Sequence, residues 1–367
     1  MSMGAGGLPD QPGPRPAVVN RFVILGLGIG AQASTCIFLY GLPELIPEFR
    51  RQYDLSLSSV GWLVAAPTFG LLCALYAWGA AADRYGERKI MAIGLGLATV
   101  FIGIAAGVDD LIARAVLFGL GGAASASVNA ASGRVVLGWF SPSERGKAMG
   151  ARQTAQPLGV GIAALALPAF ALAFGTDWAL AFCAAACALM AIFVVLFVLD
   201  PPRQVVSSLV PTGSPYRTPA LWRLHGASAL LVVPQFAVSA FAFTFLVTAR
   251  HWSPAHAGIL VFVFQMLGAA GRVAAGWWSD AVDSRLRPMR IVAFVSAASM
   301  LAVAVADTAE SALVVAALGL AAVISVADNG LGYTAAAELA GSSWSGRALG
   351  AQNTGQNVAA ALTPPLV

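Results

Sequence analysis

The sequence predicts an all-α polytopic membrane protein made of two pseudo-symmetric helical bundles. Three observations carry this prediction. The 367 residues are 58% hydrophobic and only 10% charged, whereas soluble proteins carry roughly 25% charged residues. The apolar residues form long runs, each about as long as a helix that crosses a bilayer. Motifs of the first half of the chain also recur in the second half, as expected for two related bundles.

Eleven runs are long and apolar enough to be membrane spans. Because they lack the alternation of an outer-membrane β-barrel, only helices satisfy their backbone polar groups in lipid. The predicted spans cover residues 22–43, 57–78, 90–108, 111–136, 148–174, 177–198, 228–248, 256–278, 290–306, 310–335 and 347–367. A polar, proline-rich stretch separates six spans from five. It predicts a six-helix bundle at 21–199, a linker at 200–227 and an incomplete five-helix bundle at 228–367.

Charge in the loops predicts the orientation. Fifteen Lys and Arg residues fall on one side of the predicted spans and four on the other, and basic residues accumulate on the cytoplasmic side of membrane proteins. The N-terminus and the linker are therefore expected in the cytoplasm, and the protein in the plasma (cytoplasmic) membrane. Residues 1–20 are rich in Gly and Pro, which predicts a disordered tail. No basic patch interleaved with aromatic residues is present, so nucleic acid is not an expected partner.

The two halves of the chain repeat each other at the same topological positions. A shift of 200 residues aligns Asn129 with Asn329, Gln156 with Gln356, and the segment 146–151 with 346–351. By the same shift, a twelfth span should begin beyond Val367. We therefore expect a C-terminally truncated piece of a twelve-span protein. An intact eleven-span protein is the alternative, and it would break the symmetry.

A charged turn lies between the second and third predicted spans. It reads Gly79-Ala-Ala-Ala-Asp83-Arg84-Tyr-Gly86-Glu-Arg88-Lys89. Its glycines allow a tight backbone turn, and its charged groups must stay in water or pair, because lipid does not solvate them. A shift of 197 residues places Gly276 and Asp280 on Gly79 and Asp83, which identifies a degraded second copy of the turn.

The turn G-x-x-x-D-R-x-G-x-R-K, its second copy and the six-plus-five layout resemble the major facilitator superfamily of secondary transporters, over nearly the whole chain. The resemblance implies that two bundles rock about a central site, using an ion gradient, with protons as the expected coupling ion. It implies a membrane-embedded transporter that is not an enzyme, needs no cofactor and is monomeric. In that family the loop is a conformational latch that pairs with a neighbouring span and with the N-terminus of the eleventh helix. The implied latch residues are Gly79, Asp83, Arg84, Gly86, Arg88, Lys89, Gly276 and Asp280.

Arg134 lies about two helical turns before the loop that follows the fourth predicted span. This places it close in depth to Asp83, so we expect an Arg134–Asp83 contact within the latch. Two alternatives are open for Arg134: snorkelling to the inner interface and lining the substrate cavity.

Arg272 and Asp328 are ionisable residues inside the predicted spans eight and ten. Such residues are costly in a membrane and are functional candidates by default. Spans eight and ten correspond to spans two and four, which are neighbours in the family, so we expect the two residues to pair. An Asp that releases and rebinds a proton would provide proton coupling. A static structural ion pair is the alternative.

Several amides also fall within the predicted spans. In the resembled family, spans one, four, seven and ten line the central cavity, which implies Gln32, Asn129, Gln235 and Asn329 as candidate substrate residues. In span five, Gln156 shares one helical face with Arg152 and with Gln153. Span eleven repeats this pattern with Gln352, Asn353, Gln356 and Asn357. Amides facing lipid would be costly, so these residues should face the interior, either as inter-helix hydrogen bonds or as cavity lining.

The expected substrate is a small polar or amphipathic solute. A drug or metabolite exporter of the same fold is one alternative, although span five keeps Pro157 without the paired glycines of the G-x-x-x-G-P-x-x-G-G motif that such exporters often show. A non-transporting receptor or scaffold is another, disfavoured by the costly intramembrane Arg272 and Asp328. The four cysteines all fall in apolar runs, which predicts packing roles and no metal site.

Overall fold

A computed structural model describes residues 20–201 and 214–366 of the protein. Within these ranges the regular structure is helical and contains no β-strand. The α-helices are α1 (Arg21–Gly41), α2 (Ile46–Tyr53), α3 (Leu57–Tyr85), α4 (Glu87–Ala106), α5 (Leu111–Trp139), α6 (Arg145–Arg152), α7 (Ala155–Phe174), α8 (Thr176–Phe197), α9 (Pro219–Thr244), α10 (Pro254–Ala281), α11 (Leu286–Thr308), α12 (Leu313–Ile324), α13 (Asn329–Ala340) and α14 (Ser345–Leu366). The all-α prediction is confirmed.

Ten stretches of the described chain are long and apolar enough to cross a membrane, and they coincide with the first ten predicted spans. Helices α6 and α7 together form one of them, Arg145–Phe174, and α12 and α13 form another, Leu313–Ala340. The predicted eleventh span, 347–367, is the helix α14. It is not among the ten because its many Gln, Asn and Gly residues lower its hydropathy, so its crossing of the membrane stays a prediction.

The seventh span begins earlier than predicted. Helix α9 starts at Pro219 and not near residue 228, because proline fits the first position of a helix, where its missing N–H is not needed. The predicted linker is therefore shorter at its C-terminal end. Residues 202–213 of the linker, and residues 1–19 of the predicted disordered tail, lie outside the described residues.

Two bundles form around separate cores. Helices α1 to α8 enclose a core that includes Phe38, Leu95 and Phe118, and helices α9 to α14 enclose smaller apolar clusters. A further cluster joins the bundles and contains Met149 of α6 and Leu349 of α14. Large apolar side chains elsewhere point outwards: the exposed residues include Leu165, Phe294 and Leu230. An apolar surface of this extent is suited to lipid and not to water.

A glycine makes the tight reversal between α3 and α4 possible. Gly86 has φ +96°, a conformation that glycine adopts without a steric penalty. A Cβ atom at this position would also lie 2.7 Å from Oδ2 of Asp200. The reversal brings the end of α3 and the start of α4 to the same end of the two bundles, which is called the latch end below.

Candidate functional site

At the latch end, Asp83 of the first bundle caps a helix of the second bundle. The Asp83 carboxylate accepts hydrogen bonds from the backbone N–H groups of Gly346 (2.8 Å) and Arg347 (3.1 Å), in the first turn of α14. The Nε atom of Arg347 also donates to Asp83, at 3.0 Å. A carboxylate at a helix N-terminus satisfies otherwise unpaired amides and complements the helix dipole. This contact therefore joins the two bundles.

The expected contact between Arg134 and Asp83 is present. Arg134 also donates from Nε to Oε1 of Glu87, at 2.6 Å. Glu87, which the sequence analysis did not single out, is buried with 2% of its surface exposed. Its position inside the charged turn was the available signal, because a buried carboxylate needs a cationic partner. The Glu87 carboxylate therefore helps to hold the Arg134 guanidinium in contact with Asp83.

Asp280 makes the mirror-image contact from the second bundle to the first. Its carboxylate accepts from the backbone N–H groups of Gly146 (2.9 Å) and Lys147 (2.8 Å), in the first turn of α6. Each bundle therefore caps one helix of the other through an Asp at the end of its second span. The capped segments, 146–151 and 346–351, are those that the repeat aligns.

Arg285 pairs with Asp280 within the second bundle, as Arg134 pairs with Asp83 within the first. Arg285 Nη1 donates to Asp280 Oδ1 at 2.6 Å, and Arg285 forms an ion pair with Glu338. Burial lowers the pKa of the Arg285 guanidinium, but the hydrogen bonds to Glu338 and Asp280 outweigh it and hold the pKa above its ordinary value. Glu338 also lies 3.7 Å from Arg145 of the first bundle, so this cluster adds a second charged link between the bundles.

Not every residue of the charged turn joins the latch. The backbone N–H of Arg88 donates to Asp200 at 2.8 Å, and its side chain donates to the Val195 carbonyl, both within the first bundle. Arg84 and Lys89 are exposed. Within the described residues neither side chain forms an ion pair, so their predicted latch role is not supported by a contact.

Glycines let the bundles approach at this end. A Cβ atom at Gly79 would lie 2.3 Å from the Gly346 carbonyl oxygen, and one at Gly276 would lie 2.1 Å from the Gly146 carbonyl oxygen. Each copy of the charged turn therefore packs against one of the two capped helices. Small residues at such crossings allow backbone-to-backbone packing between membrane helices.

A cavity lies between the bundles, and most of its lining is polar. Its volume is about 50 Å³, smaller than the roughly 300–1,000 Å³ of typical ligand sites, so a larger solute requires the helices to separate. The lining residues are Gln32, Cys36, Tyr40, Asn129, Gln153, Gln156, Val232, Gln235, Phe236, Asn329, Tyr333, Asn353, Gln356, Asn357 and Ala360. Of the amides expected in the interior, all but Gln352 are among them.

Two amide pairs in the cavity wall repeat the symmetry of the halves. Gln32 Nε2 donates to Asn129 Oδ1 at 3.0 Å, which joins α1 to α5. Asn329 Nδ2 donates to Gln235 Oε1 at 3.1 Å, which joins α13 to α9. These four residues therefore form inter-helix hydrogen bonds and also line the cavity, so both predicted alternatives apply to them.

Arg152 lies behind the cavity wall and is almost fully buried, with 1% of its surface exposed. It donates to Ser132 Oγ (2.9 Å), to the Asn129 carbonyl (2.7 Å) and to Gln153 Oε1 (2.9 Å). All of these acceptors are neutral. In the part of the chain that the structure describes, no carboxylate forms an ion pair with Arg152.

The expected pairing of Arg272 with Asp328 is wrong as a direct contact. The two residues lie close enough to interact electrostatically, but both carboxylate oxygens of Asp328 lack a hydrogen-bond partner among the described residues. The tenth span is not one continuous helix: α12 ends at Ile324 and α13 begins at Asn329. Asp328 therefore lies in the turn between these helices, and not on a helix face opposite Arg272.

Arg272 instead reaches across to the first bundle. Its Nη1 donates to the Gln153 carbonyl at 2.7 Å, while its Nε has no hydrogen-bond partner among residues 20–201 and 214–366. Gln153, Tyr333 and Asn353 complete this part of the cavity lining, and of these three only Tyr333 was not expected from the sequence. The Tyr333 hydroxyl donates to Asn353 Oδ1 at 2.5 Å. Gln153 and Asn353 lie in the interior, as expected for amides within the predicted spans.

Comparisons with known proteins agree with this architecture. A sequence profile of the Major Facilitator Superfamily matches residues 23–364. An uncharacterized MFS-type transporter of Mycobacterium tuberculosis (strain H37Rv) is 44% identical over 349 residues, which cover 94% of this chain and 78% of that protein. A hexuronate transporter of Bacillus subtilis (strain 168) is 24% identical over 64% of this chain and 59% of its own length. The solved structure of the fucose:proton symporter of E. coli aligns with a TM-score of 0.74 and 14% identity, over 94% of this chain and 91% of that chain.

Proposed function

The chain belongs to the major facilitator superfamily of membrane transporters, and from this premise we propose that it moves a small polar organic solute by alternating access, driven by a proton gradient. The observation that carries the proposal is the polar cavity between two bundles that are joined at one end by reciprocal Asp-to-helix contacts. Such contacts can be broken and remade without unfolding either bundle. The cavity can then open alternately to the two sides of the membrane.

The amide side chains of the cavity fit a solute with several hydroxyl groups. Gln and Asn offer both donors and acceptors, and Gln356 Nε2 has no partner among the described residues. The hexuronate transporter and the fucose:proton symporter, both similar to this chain, act on polyhydroxy compounds according to their names. The direct test is uptake of labelled sugars and sugar acids into proteoliposomes. Accumulation of none of them, with or without a pH gradient, would contradict the proposal.

We assign proton coupling to Asp328. It is 1% exposed, and within the described part of the chain its carboxylate has no hydrogen-bond partner. An unpaired buried charge is far more costly than a neutral acid. The ionisable groups around it are Arg272 of α10, Tyr333 of α13 and, beyond Tyr333, Arg152 of α6. Uptake of a proton by Asp328 in one conformation and its release in the other would couple the proton gradient to the movement of the bundles.

Asp328→Asn is expected to abolish solute accumulation driven by a pH gradient and to leave solute exchange at equilibrium intact, because the amide cannot carry a proton through the cycle. Both activities would be measured in the same proteoliposomes. Asp283→Asn is the matched control, since Asp283 is exposed and lies in a turn outside the cavity. Undiminished pH-driven accumulation by Asp328→Asn would exclude this residue as the coupling group.

We also propose that the latch end faces the cytoplasm, as the loop charges predict. A cysteine at exposed Arg84, in a background where exposed Cys73 is replaced by Ser, should be protected from a membrane-impermeant maleimide in intact cells and react after permeabilisation. A cysteine at Asp109, in the exposed turn before α5, should react in intact cells. The reverse pattern would invert the orientation.

A further inference from the structure

We propose that the transported solute is an anion, and that its carboxylate or phosphate group binds between Arg152 and Arg272. This inference deepens the proposed transport function and rests on it. The two arginines come from different bundles, α6 and α10. An anion held by both would therefore bind at the interface that opens and closes during alternating access.

Both guanidinium groups meet at one residue of the cavity wall. Arg152 donates to the side-chain oxygen of Gln153 at 2.9 Å, and Arg272 donates to the backbone oxygen of Gln153 at 2.7 Å. Gln153 itself lines the cavity. A ligand oxygen that displaces the Gln153 side chain therefore comes within reach of Arg152, while Arg272 donates to the backbone oxygen of the same residue.

The hydrogen-bonding capacity of Arg272 is not used up. The residue is 6% exposed, and its Nε has no hydrogen-bond partner in the part of the chain that the structure describes. A buried polar group normally has a hydrogen-bond partner, because leaving it unpaired costs the full desolvation penalty. A bound anion would supply that partner. Since a guanidinium offers parallel donors in a fixed plane, it suits the two oxygens of a carboxylate or phosphate.

The charge around the cavity is positive in either protonation state of Asp328. Arg152 and Arg272 contribute two positive charges, and Asp328 contributes one negative charge or none. In the described part of the chain, the other ionisable side chains that interact with Arg152, Arg272 or Asp328 are Cys36 and Tyr333, which are ordinarily neutral at pH 7. Among the described residues, no salt bridge includes Arg152 or Arg272.

An uncompensated positive charge in a low-dielectric interior is costly unless something neutralises it. By comparison, the buried Arg114 forms an ion pair with Asp177, and the partly buried Arg134 pairs with Asp83 and Glu87. These two arginines therefore have carboxylate partners. Arg152 and Arg272 differ from them in this respect, which favours a negatively charged solute as the missing partner.

The test compares matched solutes that differ only in their charged group. The purified protein in detergent would be melted with D-galacturonate or D-galactose, and with glycerol 3-phosphate or glycerol, at equal ionic strength. We expect the anionic member of at least one pair to raise the melting temperature and its neutral counterpart to leave it unchanged, because a ligand that binds the folded state stabilises it by mass action.

Substitutions identify the residues responsible. Arg152→Gln and Arg272→Gln should each weaken the apparent affinity for the anion about tenfold or more, as expected for the loss of a charge-assisted hydrogen bond. Arg272→Lys should retain part of the affinity, because the charge remains while the planar donor pair is lost. Arg223→Gln is the matched control, since Arg223 is exposed on α9 and should bind as wild type. Unliganded melting temperatures show whether each variant is folded.

Three results would overturn the inference: equal stabilisation by the charged and neutral members of both pairs, stabilisation by neither member of either pair, or full anion affinity in both Gln variants. Counterflow in proteoliposomes separates this inference from the proposed function. Transport of a neutral solute without selectivity for anions would support the transport function and contradict the anion site. Tight anion binding without any counterflow would support the anion site and contradict the transport function.

Discussion

Asp83→Asn is expected to open the latch end and to lower the rate of transport strongly. The Asp83 carboxylate is almost fully buried and bonds to Arg134, to Arg347 and to two backbone amides of α14. Replacing it by a neutral amide removes the charge-assisted part of these bonds, on the order of 2–3 kcal/mol. Because the bonds to Gly346 and Arg347 of α14 exist only when the bundles meet at this end, the loss falls on that conformation and shifts the equilibrium about 30- to 150-fold towards the opposite one.

The measurement is the distance between spin labels at Arg84→Cys and Ser343→Cys, which are exposed positions of different bundles at the latch end. Asp83→Asn should increase the population of long distances. Asp200→Asn is the matched control, because Asp200 also accepts a backbone hydrogen bond at a helix start, from Arg88, but within one bundle. An unchanged distance distribution in Asp83→Asn, or an equal change in Asp200→Asn, would show that Asp83 does not hold the bundles together.

Gly276→Ala is expected to prevent the same closure by a steric route. A Cβ atom at Gly276 would lie 2.1 Å from the carbonyl oxygen and 2.6 Å from the carbonyl carbon of Gly146. Both atoms belong to the backbone of the facing helix, so no side-chain rotation relieves the clash. The bundles must separate locally, at a cost of roughly 1–3 kcal/mol for overpacking, and Asp280 is then drawn away from its amide partners in α6.

The expected result is a longer interbundle distance with the same spin labels and a reduced rate of uptake, while the helix content stays that of the wild type. Gly96→Ala is the control, because a Cβ atom at Gly96 would meet no heavy atom within 4 Å. If Gly276→Ala closes and transports as the wild type does, the close approach of the two glycines is not required for the cycle.

The latch was partly predictable because it depends on motifs that occur twice. Asp83 and Asp280 occupy equivalent places in the two halves, as do the segments 146–151 and 346–351. The family resemblance implied the contact of Asp83 with the N-terminus of α14. The repeat, applied to that contact, would have predicted the contact of Asp280 with Gly146. The carboxylates Glu87 and Glu338 were missed, because neither belongs to a repeated pair.

The pairing of Arg272 with Asp328 shows where sequence reasoning failed. If the tenth span were one straight helix, Arg272 and Asp328 on neighbouring spans would be expected to face each other. The chain instead turns between Ile324 and Asn329. No proline or glycine lies in the segment 325–328 to indicate the turn, and the direction of a side chain in an irregular segment depends on packing with several other helices.

The sequence by itself determined that two related halves exist and that ten segments are long and apolar enough to cross a membrane, because bilayer thickness imposes a length and an apolar composition that are visible residue by residue. It also identified most polar residues that face the interior, since lipid excludes them. Only the tertiary structure decided which polar groups meet. Arg152 and Arg272 converge on Gln153 although they belong to different bundles, and such a contact follows from how helices cross and where they break, which local composition does not encode.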